Sequence, residues 1–174
     1  MAQTQEQLLV ELAELVRNRY FGKYRGLVQD VEDPVNMGRI TPQVPELFGE
    51  ETLPWAMPCV PFAGSGHGLM LLPEPGDGVW IEFEAGDPSR PIWSGCWWAG
   101  DEMPPEGTTQ SRALVTTAGH KLVLDDEAGE IRLIHSGGAG LTITGSTITL
   151  ETGSTKIELS SSGISMNNGA LEVL

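Results

Sequence analysis

The residues whose side chains could do chemistry are few and widely spaced along this chain. The three histidines, His67, His120 and His135, lie far apart in glycine-bearing, turn-like sequence. Acyl transfer needs a nucleophile, a base and an orienting group within hydrogen-bond reach, and no motif supplies that set. Glu82 and Glu84 could suggest a glycosidase pair, but residues i and i+2 share one strand face, which favours a solvated surface. We therefore expect a protein that is not an enzyme.

Two further patterns are weak signals for a ligand. Residues 64–68 (GSGHG) resemble a glycine-rich phosphate loop, but no lysine and no helix follow them, which favours a mobile loop. Cys59 and Cys96 match no metal-ligand spacing and make no disulfide framework. We interpret them as buried thiols in a reducing compartment, with a disulfide as the alternative. No metal and no cofactor are expected.

The charge of the chain limits its partners. Its 174 residues include 24 acidic and 10 basic side chains, a formal net charge of −14. Nucleic acid and anionic membrane are therefore not expected as main partners, because phosphate binding is driven by lysine and arginine. No apolar run approaches the ~18–20 residues that span a bilayer. The N-terminus lacks the pattern of a secretory signal, so we expect synthesis in a bacterial cytoplasm.

Two kinds of sequence are joined in the chain. All eleven aromatic residues lie at or before Trp98 and all twelve prolines at or before Pro105. Residues 119–174 contain neither type and are mostly Gly, Ser, Thr, Ile and Leu. We divide the chain into an N-terminal helix (1–20), a barrel (21–98), a linker that becomes extended near Ala113 (99–118) and a repetitive β segment (119–174).

The first segment predicts an amphipathic helix over residues 5–19. Leu8, Leu9, Leu12, Leu15 and Val16 recur at helical spacing, with charged residues on the other side. A helix of about fifteen residues is marginal alone, so it should pack on something. It is either a lid on the barrel or a docking segment for a neighbouring subunit.

The next segment predicts a small all-β barrel. Short apolar or alternating runs separated by Gly and Pro turns occupy residues 24–31, 38–44, 69–72, 78–83 and 92–97. Five such strands suit an oligonucleotide/oligosaccharide-binding (OB) fold. Residues 41–110 hold eleven acids and only Arg90, a net charge of −10.

Four tryptophans are the candidate contact residues of the barrel. Trp80, Trp93, Trp97 and Trp98 are expected in the barrel core or at a contact between three chains. The last two are candidates for seating the barrel on the repetitive segment that follows or on its partners. OB barrels bind single-stranded nucleic acid through stacked aromatic side chains and a basic groove. The acidic composition of this region provides no basic groove. An OB ligand- or oligonucleotide-binding module with a β-repeat oligomerisation tail remains the alternative.

The last segment is a quasi-repeat of paired aliphatic residues. The pairs, two residues apart, start every 7 to 10 residues, and nearly every gap contains glycine. They are Leu122/Leu124, Ile131/Leu133, Leu141/Ile143, Ile148/Leu150, Ile157/Leu159, Ile164/Met166 and Leu171/Val173. This pattern indicates a β-solenoid or stacked β-prism.

A single chain of such strands could bury too little apolar area to offset its ordering entropy, and it would expose strand edges. Three chains around one axis would remove both problems, with each strand pairing with a neighbouring chain and the aliphatic pairs meeting at the centre. We predict a homotrimer with these pairs as its core. The alternative is an open meander packed on the barrel.

Several motifs in this order resemble the phage baseplate assembly protein V family, shared with the VgrG spikes of type VI secretion. They are residues 37–49 (MGRITPQVPELFG), 53–56 (LPWA), the loop 61–68, 73–84 (PEPGDGVWIEFE), 86–91 (GDPSRP) and 93–97 (WSGCW), then 116–122 (TTAGHKL) with Asp125-Asp126 and Gly129-Glu130. The resemblance covers about residues 22–173. It implies an OB-like barrel and an intertwined trimeric β-helix at the centre of a contractile baseplate.

The resemblance also implies the partners. The role implied is a membrane-puncturing spike of a phage tail or injection particle, which meets its target membrane only transiently. Its implied partners are a hub protein on the barrel side and a PAAR-like protein at the tip. The hub is expected to be a separate polypeptide, and a lysozyme domain is not expected. An iron-binding His-x-His pair near the tip is also not expected, since no histidine follows His135. In a trimer the apolar end of the chain would favour a capping partner, so Leu171, Val173 and Leu174 are the predicted tip-docking residues.

Overall fold

The computed structural model describes residues 4–173, without the side chains of Leu15 and Glu172. The chain is all-β apart from short helices, as the sequence predicts. It divides into two compact units, one ending at Asp101 and one beginning at Glu102.

The N-terminal helix α1 spans Gln5–Arg17. It begins with a capping box, in which the Thr4 hydroxyl accepts from the Gln7 backbone N–H and the Gln7 side chain accepts from the Thr4 N–H. The predicted helix is confirmed and ends two residues early. Its apolar side chains Leu8, Leu9, Leu12 and Val16 are 52–61% exposed, so the lid interpretation is wrong. The docking interpretation stays a prediction.

The N-terminal unit is a five-stranded sheet that curls on itself. Its strands and the short helix α2 are β1 (Tyr24–Asp30), β2 (Thr41–Gln43), α2 (Pro45–Phe48), β3 (Met57–Pro58), β6 (Gly78–Phe83) and β7 (Pro91–Trp97), and a separate hairpin is made by β4 (Ala63–Gly64) and β5 (His67–Gly68). The strand order in the sheet is β2-β1-β6-β7-β3. A bridge between Ile40, just before β2, and Ala56, just before β3, joins the two edges of the sheet. The result is a small closed barrel.

The barrel core is made by strand alternation. In β6, Val79 and Ile81 are fully buried and Phe83 is 7% exposed, while Trp80 and Glu82 are only half-buried. This alternation is the one the sequence predicts. Val28, Ile40, Val44 and Trp93 complete the same cluster with Leu53 and Ala56. The Trp93 indole N–H donates to the Gly38 carbonyl at 3.1 Å, so the buried ring has its polar partner.

Four of the five predicted barrel strands are present, and the strand predicted at residues 69–72 is wrong. Leu69, Met70, Leu71 and Leu72 form no strand and are 37–57% exposed. The run has no polar alternation, and beyond the hydrogen bond from the Leu69 N–H to the Phe62 carbonyl no strand pairing is formed by these residues. Residues 64–68, interpreted as a mobile loop, instead belong to the β4–β5 hairpin. The two cysteines are free but exposed, which corrects the prediction of buried thiols.

The C-terminal unit is one eight-stranded antiparallel sheet. Its strands are β8 (Ser111–Val115), β9 (Lys121–Asp125), β10 (Glu130–Ile134), β11 (Gly140–Ile143), β12 (Thr147–Thr152), β13 (Thr155–Ser160), β14 (Gly163–Met166) and β15 (Leu171–Val173). Each strand pairs with the next along the chain. β8 lies within the segment assigned to a linker, so this sheet starts earlier than residue 119.

The expectation that each strand pairs with a neighbouring chain is wrong for β9–β14. Both edges of each of these strands are occupied by strands of the same chain. The connections between consecutive strands are at most five residues long. A short hairpin costs less closure entropy than pairing with a distant segment, so the repeat folds on itself as a meander.

A buried ion pair holds the loop that precedes β2. The Asp33 carboxylate accepts from the backbone N–H groups of Val35, Met37 and Arg39, and it pairs with the Arg39 guanidinium at 2.6 Å. The Asp33 side chain is 4% exposed. The hydrogen bond from the Arg39 guanidinium, aided by the backbone N–H groups, holds the pKa of Asp33 well below its ordinary range.

We predict that Asp33→Asn lowers the urea midpoint of unfolding at pH 7. Because the pKa of the folded-state carboxyl is depressed, its stabilisation is complete above its unfolded pKa of about 4 and declines as the pH falls further. The difference in midpoint between wild type and variant should therefore shrink between about pH 4 and pH 2. A difference that is unchanged at low pH would contradict this assignment.

Candidate functional site

The C-terminal sheet lines up the predicted aliphatic pairs in two columns on one face. The first column contains, in paired register, Leu114, Leu122, Leu133, Leu141, Leu150, Ile157, Met166 and Leu171. The second contains Leu124, Ile131, Ile143, Ile148, Leu159, Ile164 and Val173. We call these fifteen residues the aliphatic face. All fourteen predicted pair residues belong to it.

Leu114 was missed by the sequence analysis. It lies directly opposite Leu122, but the other position of its pair, opposite Leu124, is occupied by Arg112. The pair pattern is therefore broken in β8. Leu114 is apolar and lies in a stretch already predicted to be extended, and these two facts could have identified it from the sequence.

The aliphatic face is half-exposed in the single chain. Leu133 is 56% exposed, Leu171 55%, Leu150 47% and Ile148 40%. The side chains lie beside one another in register along each column, and the described residues of this unit leave most of them more than one-third exposed. Fully burying an aliphatic side chain contributes roughly 1.5–3 kcal/mol, so covering the exposed half would contribute roughly 1 kcal/mol per side chain. Summed over fifteen residues, this is comparable with the whole stability of a domain.

The opposite face of the same sheet is polar. Its central register positions are Arg132, Thr142, Thr149, Glu158 and Ser165. Arg132 pairs with Glu130 at 3.1 Å, and Lys156 pairs with Glu158 at 2.6 Å. This face carries charged and hydroxyl side chains where the other carries aliphatic ones, so the sheet is amphipathic.

The segment before β8 folds back over the start of the polar face. The Glu106 carboxylate pairs with the Lys121 ammonium, and the Ser111 hydroxyl donates to the Glu106 carbonyl. The hydrogen bond from Lys121 lowers the pKa of Glu106. Val123, which shares this face with Lys121, is 1% exposed. The aliphatic face is left uncovered by these contacts.

The structure brings together two histidines that the sequence analysis treated as far apart. The rings of His120 and His135 lie 4.4 Å apart, centroid to centroid. The pairing of Lys121 with Ile134 places these neighbouring residues side by side at one end of the β9–β10 pair. The register of β9 against β10 predicts this contact, whereas the separation of fifteen positions along the chain does not.

Both histidine rings act as hydrogen-bond acceptors at Nδ1. The His120 Nδ1 accepts from the Ser136 backbone N–H at 3.2 Å, and the His135 Nδ1 accepts from the Gly137 backbone N–H at 3.0 Å. A neutral imidazole that accepts a hydrogen bond at Nδ1 carries its proton on Nε2. The pair links the turn before β9 to the turn after β10.

The four candidate tryptophans of the barrel have different surroundings. Trp93 is 3% exposed and belongs to the core. The Arg25 guanidinium lies 5.7 Å from the Trp80 ring and 5.0 Å from the Trp97 ring. The Trp97 indole N–H also donates to a backbone carbonyl at 3.1 Å. Trp98 is 63% exposed, and of the four it is the one most available for a partner.

The predicted tip residues lie at the outer edge of the C-terminal sheet. Leu171 and Val173 are in β15, the last strand, and are 55% and 54% exposed. Leu174 lies outside the described residues. In the described part of the chain, no group of three or more His, Cys, Asp or Glu side chains could hold a metal. No helix there is long and apolar enough to cross a membrane.

Each of the two units matches one family model. The family described as the type VI secretion system/phage-baseplate injector OB domain matches residues 24–98. The family described as the phage baseplate V C-terminal trimerisation domain matches residues 112–172. The chain belongs to the phage baseplate V family. No match was found among curated proteins.

These families confirm two predictions made from the sequence. The barrel has the OB fold, and the repetitive segment is a trimerisation domain, which supports a homotrimer. Both families are structural components of baseplates. The second match starts at Arg112, inside β8, so it includes the strand that the sequence analysis placed in the linker.

We predict that Leu133→Asp breaks the trimer, because it places a charge in the middle of the aliphatic face. Thr142→Asp is the matched control, since Thr142 lies on the opposite face next to Arg132 in register. Light scattering coupled to size exclusion should give the 18.7 kDa chain mass for the first variant and three times that mass for the control.

Circular dichroism should show unchanged β-structure in both variants, since Leu133 is already 56% exposed in one chain. A Leu133→Asp trimer of wild-type stability would show that the aliphatic face is not the assembly surface.

Proposed function

We propose that this chain is the central spike of a contractile tail or injection-system baseplate, a homotrimer that connects a hub to a tip. One observation carries the proposal: the aliphatic face is continuous over all eight strands of a trimerisation domain and is half-exposed in one chain. The role is mechanical and needs no enzymatic activity or cofactor.

In the proposed trimer, three sheets place their aliphatic faces toward one axis. The fourteen predicted pair residues then form the trimer core, together with Leu114. The polar faces with Arg132 and Glu158 point to water. The backbone groups of the inner strands are already paired within each chain, so the sheets contact each other through side chains, with edge pairing possible only at β8 and β15.

The geometry of the sheet suits axial load. The strands follow one another in a single stack, so their hydrogen bonds run along the length of the unit. At ~4.8 Å between neighbouring strands, the eight strands would give a shaft of roughly 34 Å. Each hairpin has a connection of at most five residues, which leaves no long hinge in the shaft. Such a shaft would transmit force from a baseplate toward a membrane that it meets transiently.

Hub and tip partners are proposed for the two ends of the chain. On the barrel side, the exposed Trp98 and the uncovered apolar side chains of α1 are the candidates for contact with a hub protein. At the C-terminal end, Leu171 and Val173 are the candidates for contact with a PAAR-like tip protein. A spike of this kind would be incorporated into a phage tail or an injection particle.

The alternative, an oligonucleotide-binding barrel, has less support. Trp80 and Trp97 face the Arg25 guanidinium, and the indole N–H of Trp97 is bonded within the barrel. Base stacking would have to displace these contacts on a strongly acidic protein. We expect no change in tryptophan fluorescence when single-stranded oligonucleotide is added at low salt. A saturable change that salt removes would favour the alternative.

The spike proposal is tested first by mass and then by assembly. The purified protein should have three times the 18.7 kDa chain mass, and it should co-purify with the baseplate proteins encoded beside it. A monomeric protein would overturn the proposal.

We predict that deletion of residues 169–174 abolishes capture of the PAAR-like tip protein encoded nearby. The reason is that the deletion removes the last strand and its exposed aliphatic residues. Light scattering on the truncated protein should still give a trimer, because seven strands of the sheet remain. Glu172→Gln is the control, since it changes the charge and keeps the apolar residues. Tip binding that survives the deletion would show that the tip contacts another surface.

A further inference from the structure

One long stretch of the acidic barrel carries no charge. Residues 52–73 contain no Asp, Glu, Lys or Arg, although residues 41–110 together hold eleven acids and one arginine. Within this stretch, residues 57–72 form a surface that we call the uncharged flap. Its large apolar side chains are exposed by 37–58%: Met57, Phe62, Leu69, Met70, Leu71 and Leu72.

The uncharged flap has a defined conformation. Its β4–β5 hairpin pairs Ala63 with Gly68 and Gly64 with His67. The Leu69 N–H donates to the Phe62 carbonyl at 2.9 Å, which closes the base of the hairpin. The Cys59 N–H donates to the Trp93 carbonyl at 2.8 Å and attaches the flap to β7. These hydrogen bonds fix the backbone of residues 59–69, the part of the flap that presents Phe62 and Leu69.

The flap borders an apolar groove of about 580 Å³. The groove lies between the hairpin and the loop that contains Met37 and Gly38, and no Asp, Glu, Lys or Arg lines it. Met70 lies across the groove, so close to Gly38 that a Cβ there would be 2.9 Å from the Met70 methyl. Phe62, Leu69 and Met70 of the flap line the groove, so this part of the flap and the groove share one uncharged surface.

The charge of the chain indicates what covers this surface. Two copies of a strongly acidic barrel repel each other where their carboxylates face, and an uncharged surface on one side of the contact removes that repulsion. A partner of opposite charge would instead be attracted to the carboxylates and would gain nothing from their absence. An uncharged apolar surface on an acidic barrel therefore fits a second acidic barrel.

The trimerisation domain would hold three barrels close to one another. Joining three barrels through one assembly places them at high effective concentration, so a modest apolar surface suffices to bring them together. Around a three-fold axis the contact repeats head to tail and closes, which requires one patch on each barrel to meet a different patch on the next. We propose that the uncharged flap of each barrel packs against the barrel of the next protomer. This proposal rests on the proposed homotrimer.

Cys59 provides a probe within the flap. It is exposed in the single chain, and Cys96→Ser leaves it as the single thiol. In the full-length trimer, a maleimide dye should label Cys59 at least about tenfold more slowly than in the Leu133→Asp monomer, as expected for a contact closed most of the time. The double variant Met70→Glu/Leu71→Glu should remain a trimer by light scattering and label at the monomer rate.

Val35→Glu is the matched control for the flap variant. Val35 is 55% exposed in the same unit but does not line the groove, so the control should keep the slow labelling of Cys59. If the protein is a trimer and Cys59 labels at the monomer rate, the flap is free and the inference is overturned, while the trimer stands. Protection that develops only when a baseplate partner is added would also overturn it. A monomeric wild type would instead overturn the proposed function, and this inference with it.

Discussion

The register of the C-terminal strands is the constraint on which the assembly surface depends. Side chains alternate between the two faces of a strand, so a slip of one residue would move every aliphatic side chain to the polar face. The spacing of the pairs varies between 7 and 10 residues, and the turns absorb that variation. Gly153, Asn167 and Asn168 adopt positive φ in such turns, and the Asn167 side chain accepts from the Lys156 backbone N–H. Turn chemistry thus keeps the columns continuous.

Charge placement separates the surfaces that face water from those available for contact. On the C-terminal sheet, arginine, lysine and glutamate occupy the polar face and none lies in the aliphatic columns beyond β8, where Arg112 ends the second column. On the barrel, carboxylates are frequent except along residues 52–73. A protein that assembles with identical acidic copies needs contact surfaces without carboxylates, because an identical partner cannot neutralise them. Both units share this arrangement.

The predictive value of the sequence differed between elements for physical reasons. The alternation of Val79, Ile81 and Phe83 with Trp80, Glu82 and Glu84 predicted a strand with two different faces, and the structure buries the first set because burial follows the period of two. The run at residues 69–72 has no such period and stayed outside the sheets. The His120–His135 contact depends on strand register, which spacing along the chain does not contain. The exposure of Cys59 likewise depends on where the flap projects from the barrel.

The sequence by itself determined the two units, the strand repeat, the aliphatic pairs and the family to which the chain belongs. Each of these is a local or periodic property that residue order expresses directly. The tertiary structure decided which strand edges pair, and it placed them within one chain because the connections are short. It also decided that fifteen aliphatic residues form one uninterrupted face and that the uncharged flap projects from the barrel. These features arise from long-range pairing, whose register and direction are set only when the whole sheet forms.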